Sequence, residues 1–236
     1  MEEILEKIKS SLNYFTKWEL ALWGSSVLLI IISFILFDRA NYMTLTASVI
    51  GATSLIFSAK GHPAGQVFMI IFSILYGIIS FRCAYYGEMV TYLGMTLPMA
   101  VISLVAWLKN PFSDDKTEVK VNKLKHLDII LMTLLTTIVT IAFYFILKYF
   151  NTANLIPSTI SITTSFVAAY LTFRRSPYFA AAYALNDVVL IILWIMATTT
   201  DMSYFSVIIC FVIFLVNDIY GFANWCKMQK RQECVA

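Results

Sequence analysis

The sequence predicts an all-α membrane protein with eight transmembrane helices arranged 1+3+1+3, the two groups of three being parallel repeats. Three observations lead there. Over 236 residues the chain is 60% apolar and only 13% charged, with a mean hydropathy of +0.78, which leaves too little polar surface to clothe a soluble globule. Eight apolar runs approach the roughly 20 residues that cross a hydrocarbon layer. Alternating those runs through a bilayer puts fourteen of the seventeen basic residues on one side and leaves Arg39, Arg82 and Lys148 on the other. Lys and Arg are retained on the cytoplasmic side, and a missing or extra span would scramble the segregation. The chain is therefore expected in the cell (plasma) membrane, multi-pass, with both termini cytoplasmic. The net charge of +3 is an orientation signal: the lipid bilayer is the expected partner, and no nucleic acid is.

Taken in order, residues 1–17 place Ile4, Leu5, Ile8, Leu12 and Phe15 opposite their charges, the pattern of an amphipathic helix lying in the interface. Its acidic start, followed by a run long enough to span, argues against a cleaved signal peptide. Segment 18–41 holds a peripheral first span at 18–37. Spans at 42–59, 63–83 and 89–108 make up the first three-helix bundle, 42–108. The basic stretch KNPFSDDKTEVKVNKLKH opens a connecting segment, 109–153, which holds a fifth span at 127–147. Spans at 155–173, 178–198 and 204–226 form the second bundle, 154–226, and 227–236 is a cytoplasmic tail.

The repeat shows in local signals. KGHPAG and RRSPYF each put a basic residue three before a proline that opens a helix, where its missing N–H is harmless. Trp107-Leu-Lys109 is mirrored by Trp225-Cys-Lys227, and both tryptophans, like Trp18, have the setting of interfacial anchors. Two three-helix units separated by one helix must run the same way through the membrane, as in parallel-repeat transporters. Pro98, inside the fourth span, leaves a carbonyl unpaired and marks either a bend point or a static kink. Cys83, Cys210, Cys226 and Cys234 follow no metal or disulfide spacing, so neither a metal nor a cofactor is expected.

Polar residues inside the spans are the functional signal, because each carries a desolvation cost in hydrocarbon. At helical spacing, one stripe on the eighth span carries Asn217, Asp218, Tyr220 and Asn224. A second, on the seventh, carries Tyr183, Asn186, Asp187 and Trp194, and a third, on span three, carries Gln66, Ser73 and Tyr76. Small and polar residues also join membrane helices to one another. That reading is preferred for Ser73, Ser80, Gly77, Gly221 and the Thr/Ser-rich face of span six. It does not easily explain two Asn-Asp pairs at depth in two different helices. Amides, carboxylates and aromatic faces, with no Lys or Arg at depth, suit a cargo with hydroxyls and a flat or cationic ring.

HPAG, SILYG and YYGEMV in the first half, with LND, LW and VNDIYGFANW in the second, are similar to the PnuC family of vitamin-related transporters. The resemblance covers spans two to eight. It implies a full-length SWEET-like fold, uptake of nicotinamide riboside by facilitated diffusion, one-way trapping by intracellular phosphorylation in NAD biosynthesis, and assembly as a homotrimer. It is also compatible with thiamine or another nucleoside-like vitamin as cargo. For a riboside, Trp194, Tyr183 or Tyr76 would stack the ring while Gln66, Asn186, Asn217 and Asn224 pair with amide and diol. Proton- or sodium-coupled transport is the rival mechanism, since buried carboxylates serve as relays. An intramembrane enzyme finds little support, since His62 and His126 sit at the ends of spans and no nucleophile–base cluster recurs along a helix.

Overall fold

The computed structural model describes residues 14–37, 39, 41–82, 86–112, 117–152, 154–198 and 205–235. The expected interfacial stretch, except for residues 14–17, and Cys83 lie outside the described residues. Eight helices long and apolar enough to cross a membrane follow one another: α1 Lys17–Phe37, α2 Tyr42–Ala59, α3 Ala64–Arg82 and α4 Tyr86–Leu108, then α5 His126–Tyr149, α6 Leu155–Phe173, α7 Tyr178–Thr198 and α8 Phe205–Val235. The basic stretch after α4 and the C-terminal turns of α8 lie at one end of the bundle, called here the linker end. The opposite end is the far end.

Within the first unit α2 packs on α3 and α3 on α4, and within the second α6 packs on α7 and α7 on α8. The units meet at two seams, α2 against α8 and α4 against α6. Exchanging α2 with α6 and α4 with α8 turns one seam into the other, the relation that parallel repeats require. Helix α1 lies against α2 and α8, and α5 packs against α6.

The repeat is sharpest at the linker end. Both hairpins turn through a left-handed residue, Gly61 at φ 68° and Arg175 at φ 55°. In each, the following residue caps the next helix: His62 Nδ1 accepts the Ala64 N–H at 3.0 Å, and Ser176 Oγ accepts the Tyr178 N–H at 3.4 Å. Each preceding cation holds an acid on the peripheral helix of its own half, Lys60 on Glu19 at 3.2 Å and Arg174 on Asp128 at 2.6 Å. Glu19 also closes a capping box with Thr16, which satisfies amide groups that the first turn of a helix leaves unpaired.

Trp107 and Trp225 are not interfacial anchors. Both are fully buried, whereas Trp18 is 84% exposed. Their indole N–H groups donate to the Thr172 and Ser58 carbonyls at the ends of α6 and α2, buried partners that let the polar edge of each ring turn inward. Above them, the linker ties the two units together. The Val119 N–H donates to the Gly61 carbonyl and the Asn122 N–H to the Arg175 carbonyl, each at 3.0 Å. Val119 is itself fully buried in one cluster with Trp107, Phe179, Trp225 and Met228. Helix α8 runs on past the expected start of its tail because its last turns are pinned by the linker. Gln232 Nε2 donates to the Val119 carbonyl at 3.0 Å, and its Oε1 accepts the Val121 N–H at 2.8 Å.

Candidate functional site

Between the two units, from the middle of the bundle toward the far end, lies a cavity in which water centres can range over about 120 Å³. One water needs only ~10–15 Å³. Its linker end is shut by the buried cluster around Trp107, Trp225 and Val119. The wall is built from both units, with Gly51, Phe72 and Tyr92 on one side and residues of α6, α7 and α8 on the other.

Helix α7 presents Tyr183, Asn186, Asp187 and Trp194 to this cavity, and α8 presents Asp218. These α7 residues recur at helical spacing, so one face of the helix lines the wall. The Asn186 side-chain oxygen accepts from three hydroxyls of α6: Thr164 at 2.7 Å, Ser165 at 3.0 Å and Ser161 at 3.4 Å. This orients the amide and leaves its Nδ2 as the group without a protein partner among the described residues. Asp187 and Asp218, 4% and 5% exposed, bring their carboxyl groups into side-chain contact with each other. Asp187 Oδ2 has no hydrogen-bond donor among the described residues. Two like charges so placed repel, so a shared proton or a cation is what can hold the pair together.

Helix α4 supplies the rest of the polar wall through an irregularity. Its α-helical turns at Tyr86–Thr91 and Leu97–Leu108 are separated by a π-helical turn, Tyr92–Thr96. The wider turn fits one extra residue, so Thr96 takes the wall position beside Glu88, Thr91 and Tyr92. Met95 rotates instead into a cluster with Phe143, Leu147 and Phe166. The Thr96 hydroxyl donates back to the Thr91 carbonyl at 3.3 Å. Pro98 follows directly, inside the first turn after the π segment, where its absent N–H is accommodated.

Six of the expected stripe residues do not form the cavity wall. Asn217 Nδ2 donates to Ser26 Oγ of α1 at 3.0 Å and to its own helix at Ile213 O, 2.8 Å. The Tyr220 hydroxyl donates to Glu19 Oε1 of α1 at 2.8 Å, and Asn224 Nδ2 to the Ala59 carbonyl at the end of α2, also 2.8 Å. Ser73 Oγ turns back to the Met69 carbonyl, 2.8 Å away. Tyr76 sits behind Tyr92, ring centroids 4.9 Å apart, and Gln66 is buried near the start of α3. For Asn217, Tyr220, Asn224 and Ser73 the reason is common: a polar group in hydrocarbon takes the nearest partner, and α1, α2 or the residue's own helix offers one.

The family model for the nicotinamide mononucleotide transporter matches residues 41–227. The chain belongs to that family. It is 24% identical to the "Nicotinamide riboside transporter PnuC" of Neisseria mucosa, over 83% of this chain and 76% of that one. It is 23% identical to the protein of the same description from Haemophilus influenzae, over 81% of this chain and 82% of that one. Among solved structures, the crystal structure of the vitamin B3 transporter PnuC superposes with a TM-score of 0.76 at 22% identity, covering 92% of this chain and 94% of that chain. That likeness shows the fold.

Family membership makes the chain a membrane transporter rather than an enzyme, and the facing aspartates are wall groups of the cavity. Family motifs also carry residues that stripe reasoning left out. Glu88 lies within YYGEMV, but a span begun at residue 89 excludes it by one position. Ser161 and Ser165 belong to the hydroxyl-rich face of α6, read from sequence as helix glue. They serve in both roles, lining the cavity while bonding to Asn186. Thr91, Tyr92 and Thr96 had no sequence signal other than their distance from Pro98.

Proposed function

We propose that the chain carries nicotinamide riboside across the plasma membrane by facilitated diffusion, with intracellular phosphorylation making the movement one-way. The observation that carries this reading is the chemistry of the wall. Glu88, Asp187 and Asp218 line the cavity together with the rings of Tyr92, Tyr183 and Trp194, and no Lys or Arg lines it among the described residues. The riboside offers a cationic pyridine ring, a carboxamide and a ribose diol. Trp194 and Tyr183 are the rings to stack it, which favours a cation over an aromatic face. Asn186 Nδ2 and the hydroxyls of Ser161 and Ser165 pair with the amide and diol, and the aspartates supply counter-charge.

The same wall disfavours the phosphorylated cargo in the family's name. Each unit of phosphate charge held ~5 Å from a carboxylate would be repelled by about 3 kcal/mol at an effective dielectric of 20. The concentration of Lys and Arg at the linker end supports a cytoplasmic placement of that end. The homotrimer follows from the family resemblance. A second reading, proton- or sodium-coupled transport, is favoured by one observation, the contact between Asp187 and Asp218. Radiolabelled riboside flux into liposomes holding the purified protein tests the proposal, with the mononucleotide and thiamine as competitors. Saturable uptake that persists under ionophores, resists the mononucleotide and is only weakly reduced by thiamine is expected. Equal competition by the mononucleotide would overturn the cargo assignment, and collapse under ionophores would favour coupling.

A further inference from the structure

The cavity contains one carboxyl group with no structural duty. Asp187 and Asp218 contact each other, but Glu88 makes no ion pair and no side-chain hydrogen bond among the described residues, although it lines the same space. Its position is built. Gly87 lets the first turn of α4 press against the far end of α5: a Cβ there would stand 2.4 Å from Thr152 Oγ1 and 2.7 Å from Leu147 Cδ2. A larger residue at 87 would have to displace the Thr152 and Leu147 side chains that line the cavity beside Glu88. Glu88 then shares a helix face with Thr91 and Tyr92, and the π-helical turn brings Thr96 onto the same face. Leu147 and Thr152, which line the cavity beside it, belong to the far end, whereas the aspartates lie deeper.

We propose that Glu88 is a specificity-determining residue for charge: it is the first counter-ion a cationic cargo meets on entering from the far end, ahead of the Asp187–Asp218 pair. This rests on the riboside reading above. A positively charged N-glycosylpyridinium is attracted by a carboxylate at the mouth of a low-dielectric cavity, whereas the same nucleoside with a reduced, neutral ring gains nothing from it. A carboxyl left unpaired at such a site is otherwise a net cost to folding. Two carboxyl stations at different depths also let the cation pass from one to the next, so that neither holds it too tightly to release.

The test is uptake by the full-length protein in liposomes of two cargoes that differ in charge alone: nicotinamide riboside and its neutral dihydro form. Glu88→Gln is expected to raise the KM for the cationic riboside by roughly tenfold, while uptake of the dihydro form, which also reports correct folding, changes by less than about twofold. Glu88→Asp, which keeps the charge, is expected to retain the preference for the cation. A parallel fall in both cargoes with either variant, or no change in either, overturns the role of Glu88 while leaving the cargo reading intact. Wild-type protein that moves neither cargo overturns the riboside reading, and this inference with it.

Discussion

Trp107 and Trp225 cross-link the two halves of the molecule from symmetry-equivalent positions. Their rings lie 5.5 Å apart, and each reaches across a seam: Trp107 Nε1 donates to the Thr172 carbonyl of α6 at 2.9 Å, and Trp225 Nε1 to the Ser58 carbonyl of α2 at 2.8 Å. Ser58 precedes Gly61, and Thr172 precedes Arg175, by the same three residues. The two bonds are therefore one contact made twice. Together with Val119 they seal the linker end, so a movement that opens this end must break them.

Trp107→Phe and Trp225→Phe each remove an indole N–H from a buried carbonyl that keeps one backbone donor, Arg175 N–H on Thr172 and Gly61 N–H on Ser58, so each should cost about 1 kcal/mol. Because the two rings touch, the double variant should depart from additivity by about 0.5 kcal/mol or more. Denaturant unfolding in detergent measures both quantities, and strictly additive losses would show that the rings act independently.

Asn186→Leu removes the acceptor shared by Ser161, Thr164 and Ser165 together with the one free amide of the site. Riboside uptake should fall by about tenfold or more, the worth of one good hydrogen bond in a low-dielectric site. Unchanged uptake in a well-expressed variant would take Asn186 out of the site.

Asn217→Leu and Tyr220→Phe touch the seam with α1 rather than the cavity. The KM for the riboside should stay within about twofold, while stability drops by about 1 kcal/mol for each lost bond. A large KM effect without loss of stability would place the α8 face on the transport path.

Val119→Asp puts an unpaired charge into the cluster that closes the linker end. Such burial costs several kcal/mol in place, so the segment should lift away and become cleavable by added protease faster than in the wild-type protein. Cleavage at the wild-type rate would mean that Val119 does not hold the strap down.

How much was legible depended on the range of the signal. The eight spans were readable because a helix crossing hydrocarbon must satisfy its backbone internally and bury its length in apolar side chains, a property of each segment alone. The turns at Pro63 and Pro177 were readable for the same reason. On α7 the stripe reading picked out Tyr183, Asn186, Asp187 and Trp194, which share the cavity wall. On α8 it grouped Asn217 with Asp218, yet neighbours in a helix point about 100° apart. Asn217 faces α1 and Asp218 faces the cavity.

The sequence by itself determined the spans, their repeat and the presence of polar groups at depth, since those follow from composition, charge placement and 3.6-residue periodicity. Only the tertiary structure decided which polar groups look into the cavity. A buried amide or hydroxyl takes the nearest acceptor, and whether that belongs to α1, to α2 or to a cargo depends on which helix lies alongside. The π-helical turn of α4 makes the same point: the extra residue at Tyr92–Thr96 turns Thr96 to the cavity and Met95 into a packed cluster, a rotation set by the fit of α4 against its neighbours.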